Sequence, residues 1–249
     1  MPDADMPPRA VLAAFGAAVT PERLAGGTGR SWRVGELVLK PLDRAPAEIE
    51  WQADVLGAVR EDGFRVAPPL TRIVEGWTAW RYVEGRHEPG RWLDIIATGE
   101  RLHTALAGVP RPGDLIAPGV EPWATGDRVA WGAEPFAGLD DLLVVLRPVT
   151  EPNSLIHGDL TGNVLFAEGL SPAVIDFTPY WRPRPFAAAI VVADALVWED
   201  APAALANAVD SQYLLRALIY RGVTSIVAGT EWQSTLDLAR RIARCMSRS

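Results

Sequence analysis

The sequence predicts an α+β protein of two lobes: a small β-rich lobe with one long helix over residues 1–84, and a larger, mainly helical lobe over residues 85–249. Three observations predict it. Before Gly85 the β-prone runs are short and separated by glycine turns. Among them sits one segment with clear helical spacing, from Pro46 to Arg60. Beyond Gly85 most apolar residues recur at the helical period, with only a few short strands between.

Taken in order, the alanine-rich segment from Pro8 to about Ala18 reads as a short helix starting after Pro7 and Pro8. Gly26, Gly27 and Gly29 then precede two β-prone runs, Ser31 to Val34 and Glu36 to Lys40, with Gly35 as the turn between them. In the long helix Ile49, Ala53, Leu56 and Val59 share one buried face. A hairpin follows, Leu70 to Val74 and Trp77 to Val83, turning at Glu75-Gly76. Helices are expected at Arg91 to Leu106, Leu139 to Leu146, Phe186 to Trp198, Ser211 to Tyr220 and Glu231 to Met246. The proline- and glycine-rich stretch from Val109 to Pro135 reads as a long irregular connection.

The bulk properties exclude several classes. A formal charge of -7 argues against an electrostatic grip on nucleic acid or anionic lipid, which both need a basic surface. Cys245 is the only cysteine, so neither an intramolecular disulfide nor a thiolate zinc cluster can form. The N-terminus lacks the pattern of a secretory signal, and no apolar run has the length of a bilayer span. These features predict a cytoplasmic protein without membrane or nucleic-acid partners.

The chemistry concentrates in L-I-H-G-D-L-T-G-N-V-L-F, followed after a turn by A-V-I-D-F. Two apolar β-prone runs each present polar residues at one end, which brings Asp159, Asn163 and Asp176 together. A carboxylate and an amide oxygen from adjacent strand ends suit magnesium on a nucleotide's phosphates, because hard cations take oxygen ligands. A second carboxylate is then available to orient an attacking hydroxyl.

These motifs resemble the aminoglycoside phosphotransferase and choline kinase superfamily, whose catalytic loop reads H-G-D-L followed by N-V-L, with I-D-[FW] about a dozen residues later. V-L-K ending at Lys40 is similar to its phosphate-binding lysine strand, and R-Y-V-E-G at Arg81 to Gly85 to its inter-lobe hinge. Asp194 is similar to the aspartate that follows the metal site in the family. The resemblance implies a bilobal protein-kinase-like fold and transfer of a phosphoryl group from ATP, with Mg2+, to a hydroxyl of a small molecule. It implies Asp159 as catalytic base, Asn163 and Asp176 as metal ligands, and Lys40 on the α- and β-phosphates. Glu48 or Glu50 is expected to pair with Lys40, Glu48 being favoured by helix phase. Gly27 and Gly29 fall in the glycine loop, and the backbone near Tyr82 and Val83 is expected to hold the adenine.

The sequence departs from the family at one point: three residues, not the usual four, separate Asp159 from Asn163. Gly162 is placed to absorb the deletion through backbone angles closed to other residues. The short loop keeps open the alternative of a pseudokinase scaffold that binds nucleotide without turnover. His157 reads as a buried structural residue, and His87 and His103 lack ligand spacing. Asp194 reads as a brace for backbone amides. Trp32, Trp80 and Trp181 flank the expected cleft, but ten tryptophans in one chain serve mainly as core and walls. From Ala201 onward six arginines stand against three acids, which disfavours a polycationic acceptor. Neither the acceptor nor the oligomeric state follows from the sequence.

Overall fold

A computed structural model of the chain describes residues 6–16, 19–24, 29–116 and 122–246. The elements begin with α1 (Arg9–Ala14), β1 (Glu22–Arg23), β2 (Trp32–Val34), β3 (Leu37–Pro41), α2 (Pro46–Gly57), β4 (Arg65–Val66) and β5 (Trp77–Arg81). Next come α3 (Trp92–Ala105), α4 (Trp123–Ala130), α5 (Asp140–Leu143), β6 (Ser154–His157), β7 (Val164–Leu165) and β8 (Ala173–Val174). The chain continues through β9 (Pro179–Arg182), α6 (Pro185–Trp198), α7 (Ser211–Ala228) and α8 (Gln233–Met246). It divides into two compact units: Met1–His87 with Val164–Asp176, and Glu88–Asn163 with Phe177–Ser249.

The first unit holds an antiparallel sheet in the order β1-β2-β3-β5, in which Leu39 lies opposite Ala79 and Lys40 opposite Thr78. Side chains alternate across a strand, so Trp32 and Val34 of β2 turn inward while Arg33 is half-exposed. They join Val11, Leu39, Trp77 and Ala79 in one apolar cluster. Trp32 and Trp80 are buried, so both are core residues. α2 starts with Pro46 in its first turn, where a missing N–H costs nothing, and buries Ile49, Gln52 and Leu56 along one face.

The expected strand from Leu70 to Val74 does not form. Pro69 and Val74 make only isolated bridges to Trp80 and Trp77, because Pro68 and Pro69 bring no N–H to a ladder. The turn itself is of the expected kind, since Glu75 (φ 49°) and Gly76 (φ 75°) are both left-handed. A second, three-stranded sheet in the order β4-β8-β7 places the segment after Asn163 in this unit. That long-range pairing, Arg65 opposite Ala173, is invisible to a single cut near residue 85.

The second unit is built around α6, which is apolar on every side and buried from Phe186 to Ala195. α7 packs against it and is buried from Tyr213 to Ser225. The ends of α7 follow standard capping: Asp210 accepts from the Gln212 N–H at 2.7 Å, and Gly229 closes the helix at φ 70°. α7 runs eight residues past its expected end at Tyr220, because the apolar pattern survives Gly222. The stretch expected to be irregular contains α4, which packs on α7. Its C-terminal carbonyl at Ala130 accepts from Arg216 Nη1 at 2.7 Å, a tertiary cap no local pattern announces. Among the described residues no helix is long and apolar enough to cross a membrane.

Candidate active site

In the first unit, β3 carries Lys40 near its end and directs it toward Asp176, two residues past β8. Lys40 Nζ lies 2.9 Å from Asp176 Oδ1. It also lies 5.3 Å from the centre of the Trp80 ring, which lines its path. Asp176 adopts φ 52°, a backbone region uncommon outside glycine and concentrated at functional positions. Its side chain is 44% exposed, so the carboxylate is accessible despite the lysine.

Glu48 is not the partner of Lys40. It accepts from Arg44 Nη1 at 2.8 Å and from Gln52 Nε2 at 3.0 Å, all within the reach of one helix and its entry. The physical reason is proximity: Arg44 sits four residues before Glu48, and Asp176 already satisfies the lysine. The Tyr82 N–H donates to the Glu36 carbonyl at 2.8 Å, and the Arg33 guanidinium stacks 3.7 Å from the Tyr82 ring centre. Gly29 takes a left-handed φ of 68°, and its carbonyl accepts from Arg23 Nε at 2.6 Å. Gly27 lies outside the described residues.

In the second unit, β6 leads directly into the H-G-D segment. His157 is fully buried, its ring edge-on to Phe177 at 5.5 Å, and its Nδ1 accepts the Asp159 N–H at 3.1 Å. Behind it the His157 N–H donates to His103 Nε2 at 3.0 Å. Burial, aided by the nearby His157 and Arg184, pushes the His103 imidazole down to about 3, so it stays neutral and can accept that bond. Both histidines therefore hold backbone in place. Gly158 must be glycine for another reason: a Cβ there would run into the Tyr180 ring.

The short loop closes as a turn. The Asn163 N–H donates to the Leu160 carbonyl at 3.0 Å, with Gly162 at the third position at φ 78°, the left-handed value a type II turn places there. Asn163 Nδ2 donates to the Asp159 carbonyl at 2.7 Å, which leaves the amide oxygen as the end available to a cation. Nothing lies within 4 Å of where a Cβ on Gly162 would project, so only backbone strain opposes a side chain there. Gly162→Ala is expected to lower unfolding free energy by about 1–2 kcal/mol in denaturant melts. A loss under about 0.3 kcal/mol would mean that the turn does not require the left-handed backbone.

One residue in contact with this segment was not singled out by the sequence reading. Arg221, on α7, grips Asp194 with Nε to Oδ1 at 2.8 Å and Nη2 to Oδ2 at 2.7 Å. The same Nη2 donates to Asp159 Oδ1 at 2.7 Å. Asp194 therefore braces a guanidinium, not backbone amides, because it sits mid-helix in α6, where the amides are already used. Burial raises the Asp194 carboxyl and Arg221 opposes that; burial also works against the Arg221 charge, which its neighbours, Asp194 foremost and Asp159 among them, more than offset. The available signal was a lone acid in a wholly apolar helix and arginines inside the apolar run of α7. The arginine excess after Ala201 is also no open field, since Arg216 and Arg221 are buried and Arg240 pairs with Asp141 at 3.0 Å.

Away from these residues, a cavity of about 570 Å3 lies at the start of α3, lined by Trp92, Leu93, Pro202 and Leu205 among others. Its charged residues Arg91 and Asp94 pair with each other at 2.8 Å, and no chemistry is assigned to it.

A β-rich unit with a lysine–aspartate pair, and a helical unit with an H-G-D-L loop, define a protein-kinase-like phosphotransferase fold. The chain belongs to the phosphotransferase enzyme family (APH), which it matches over residues 21–180. It is similar to the crystal structure of an aminoglycoside phosphotransferase from Alicyclobacillus acidocaldarius, with a TM-score of 0.58 and 16% identity, covering 99% of this chain and 93% of that one. A choline/ethanolamine kinase family protein from Mesorhizobium loti gives 0.56 and 18%, covering 97% and 94%. A spectinomycin phosphotransferase solved with ADP and spectinomycin gives 0.53 and 13%, covering 93% and 94%. No curated protein matches the sequence. At these identities the structures establish the fold, and the family establishes the class of enzyme.

Proposed function

We propose that the protein transfers the γ-phosphoryl group of ATP to a hydroxyl of a small molecule. Asp159 orients the acceptor hydroxyl and takes its proton, and Lys40 neutralises charge on the α- and β-phosphates. The Asn163 amide oxygen and the Asp176 carboxylate are each oxygen donors of the kind magnesium takes, and they are the ligands the family resemblance assigns to it; the ion keeps few protein ligands and takes the rest of its shell from water and phosphate oxygens. Magnesium, when bound, supplies charge neutralisation on the phosphates. The backbone at Tyr82 and Val83 is assigned to the adenine, with the lobes divided near Gly85. The spectinomycin phosphotransferase crystallised with ADP supports the nucleotide reading.

The observation that carries the proposal is the Asn163 Nδ2 to Asp159 carbonyl bond at 2.7 Å, formed across the three-residue loop. It supports the reading, because the three-residue loop ties the Asn163 side chain to the backbone of Asp159. The test is magnesium-dependent ATP turnover across hydroxylated metabolites and aminoglycosides, with thermal shifts in saturating ADP or ATP. Ligand at a hundred times its dissociation constant is expected to raise the melting temperature by about 5–10 °C. Asp176→Ala is expected to abolish the magnesium-dependent part of that shift. A shift without turnover of any acceptor turns the reading to the scaffold, and no shift at all overturns it.

A further inference from the structure

We propose that Arg221 is a positioning residue for phosphoryl transfer: clamped by Asp194, it fixes the Asp159 carboxylate through Oδ1 and presents Oδ2 to the acceptor hydroxyl. This role rests on the reading of Asp159 as the base. The planar fork of arginine allows the arrangement, since Nε and one Nη2 hydrogen meet the two Asp194 oxygens while the second Nη2 hydrogen is left for Asp159. A lysine ammonium is a single nitrogen and cannot meet the two Asp194 oxygens with the same two-nitrogen fork.

The burial gradient points outward along this chain of charges. The side chain of Asp194 is 2% exposed, that of Arg221 10%, and that of Asp159 41%. The innermost carboxylate therefore anchors the guanidinium, and the outermost is the one a substrate can reach. Asp159 Oδ2 has a 3.4 Å contact from Asn163 Nδ2, long for a hydrogen bond, so it keeps accepting capacity. The Arg221 guanidinium carbon lies 5.2 Å from the Tyr220 ring and 5.7 Å from the Trp198 ring, which limits how it can swing. Stability alone does not account for a charge network here. A buried ion pair of this kind is often no more stable than well-packed apolar residues of the same volume, and the rest of α6 is apolar.

The experiment compares wild type, R221K, R221M/D194L, D159N and R221K/D159N in steady-state kinetics and in nucleotide thermal shift. R221K keeps a cation beside Asp194, and R221M/D194L removes both buried charges, so each retains the fold by a different route. Both are expected to keep the nucleotide shift and an acceptor KM within about threefold of wild type. Both are expected to lose at least about tenfold in kcat, the scale of misplacing a reacting group. In the D159N background, R221K is expected to change the residual rate less than about twofold, as residues acting through one another are not additive. A kcat within about twofold of wild type in either folded variant overturns the role while leaving the kinase reading intact. So does an equal loss in the D159N background. If wild type fails to turn over any acceptor, the kinase reading falls and this role falls with it.

Discussion

Asp194→Ala is expected to lower unfolding free energy by about 3–5 kcal/mol, the largest stability loss of any single substitution considered for this chain. The mutation removes the two acceptors that Arg221 meets at 2.8 and 2.7 Å and leaves a buried arginine beside Tyr220. Asp159 Oδ1 then stands as its remaining carboxylate partner, at 2.7 Å from one nitrogen. Removing one member of a buried pair costs more than removing both, because the survivor keeps its desolvation penalty. Asp194→Leu combined with Arg221→Met should therefore recover most of the loss. In a domain of this size the single mutant's melting temperature should drop by roughly 6–20 °C, read by calorimetry or chemical denaturation. A drop below about 2 °C would mean the guanidinium finds water, and that the pair is not buried in solution.

The contrast between Asp194 and the H-G-D segment shows where a single sequence is legible. The strands around Lys40 and before the H-G-D segment announce themselves because β-prone runs and turn residues are local properties. The helices α2, α3, α6 and α8 are legible for the same reason, to within a few residues at their ends. α4 is not, since W-A-T-G-D-R-V-A lies among prolines and glycines and becomes a helix through packing on α7 and capping by Arg216. The Leu70–Val74 strand fails in the opposite direction, a β-prone run whose neighbouring prolines deny it a ladder. The pairing of Lys40 with Asp176, in place of Glu48, spans 136 residues and obeys no periodicity. Likewise the partner of Asp194 is 27 residues away, on another helix. A lone acid in an apolar helix states that a cation must come, but only the packing of α6 on α7 selects Arg221 over Arg216.

Asp159→Asn is expected to reduce kcat by about 10²–10⁴-fold while leaving the nucleotide thermal shift within about 2 °C of wild type. The separation follows from how the residue is held. Its N–H is bound by His157 Nδ1 and its carbonyl by Asn163 Nδ2, and neither bond involves the side chain being changed. The amide has the size of the carboxylate and still offers Arg221 an oxygen at Oδ1, so the turn and the clamp persist. What disappears is the negative oxygen to which the proposal assigns the acceptor's proton. Asp176→Ala is expected to do the reverse, weakening magnesium nucleotide binding first, because its carboxylate belongs to the unit that carries Lys40. If Asp159→Asn retained more than about a tenth of wild-type kcat, proton removal would not depend on this carboxylate. The geometry of the H-G-D turn would then serve only to aim Asn163.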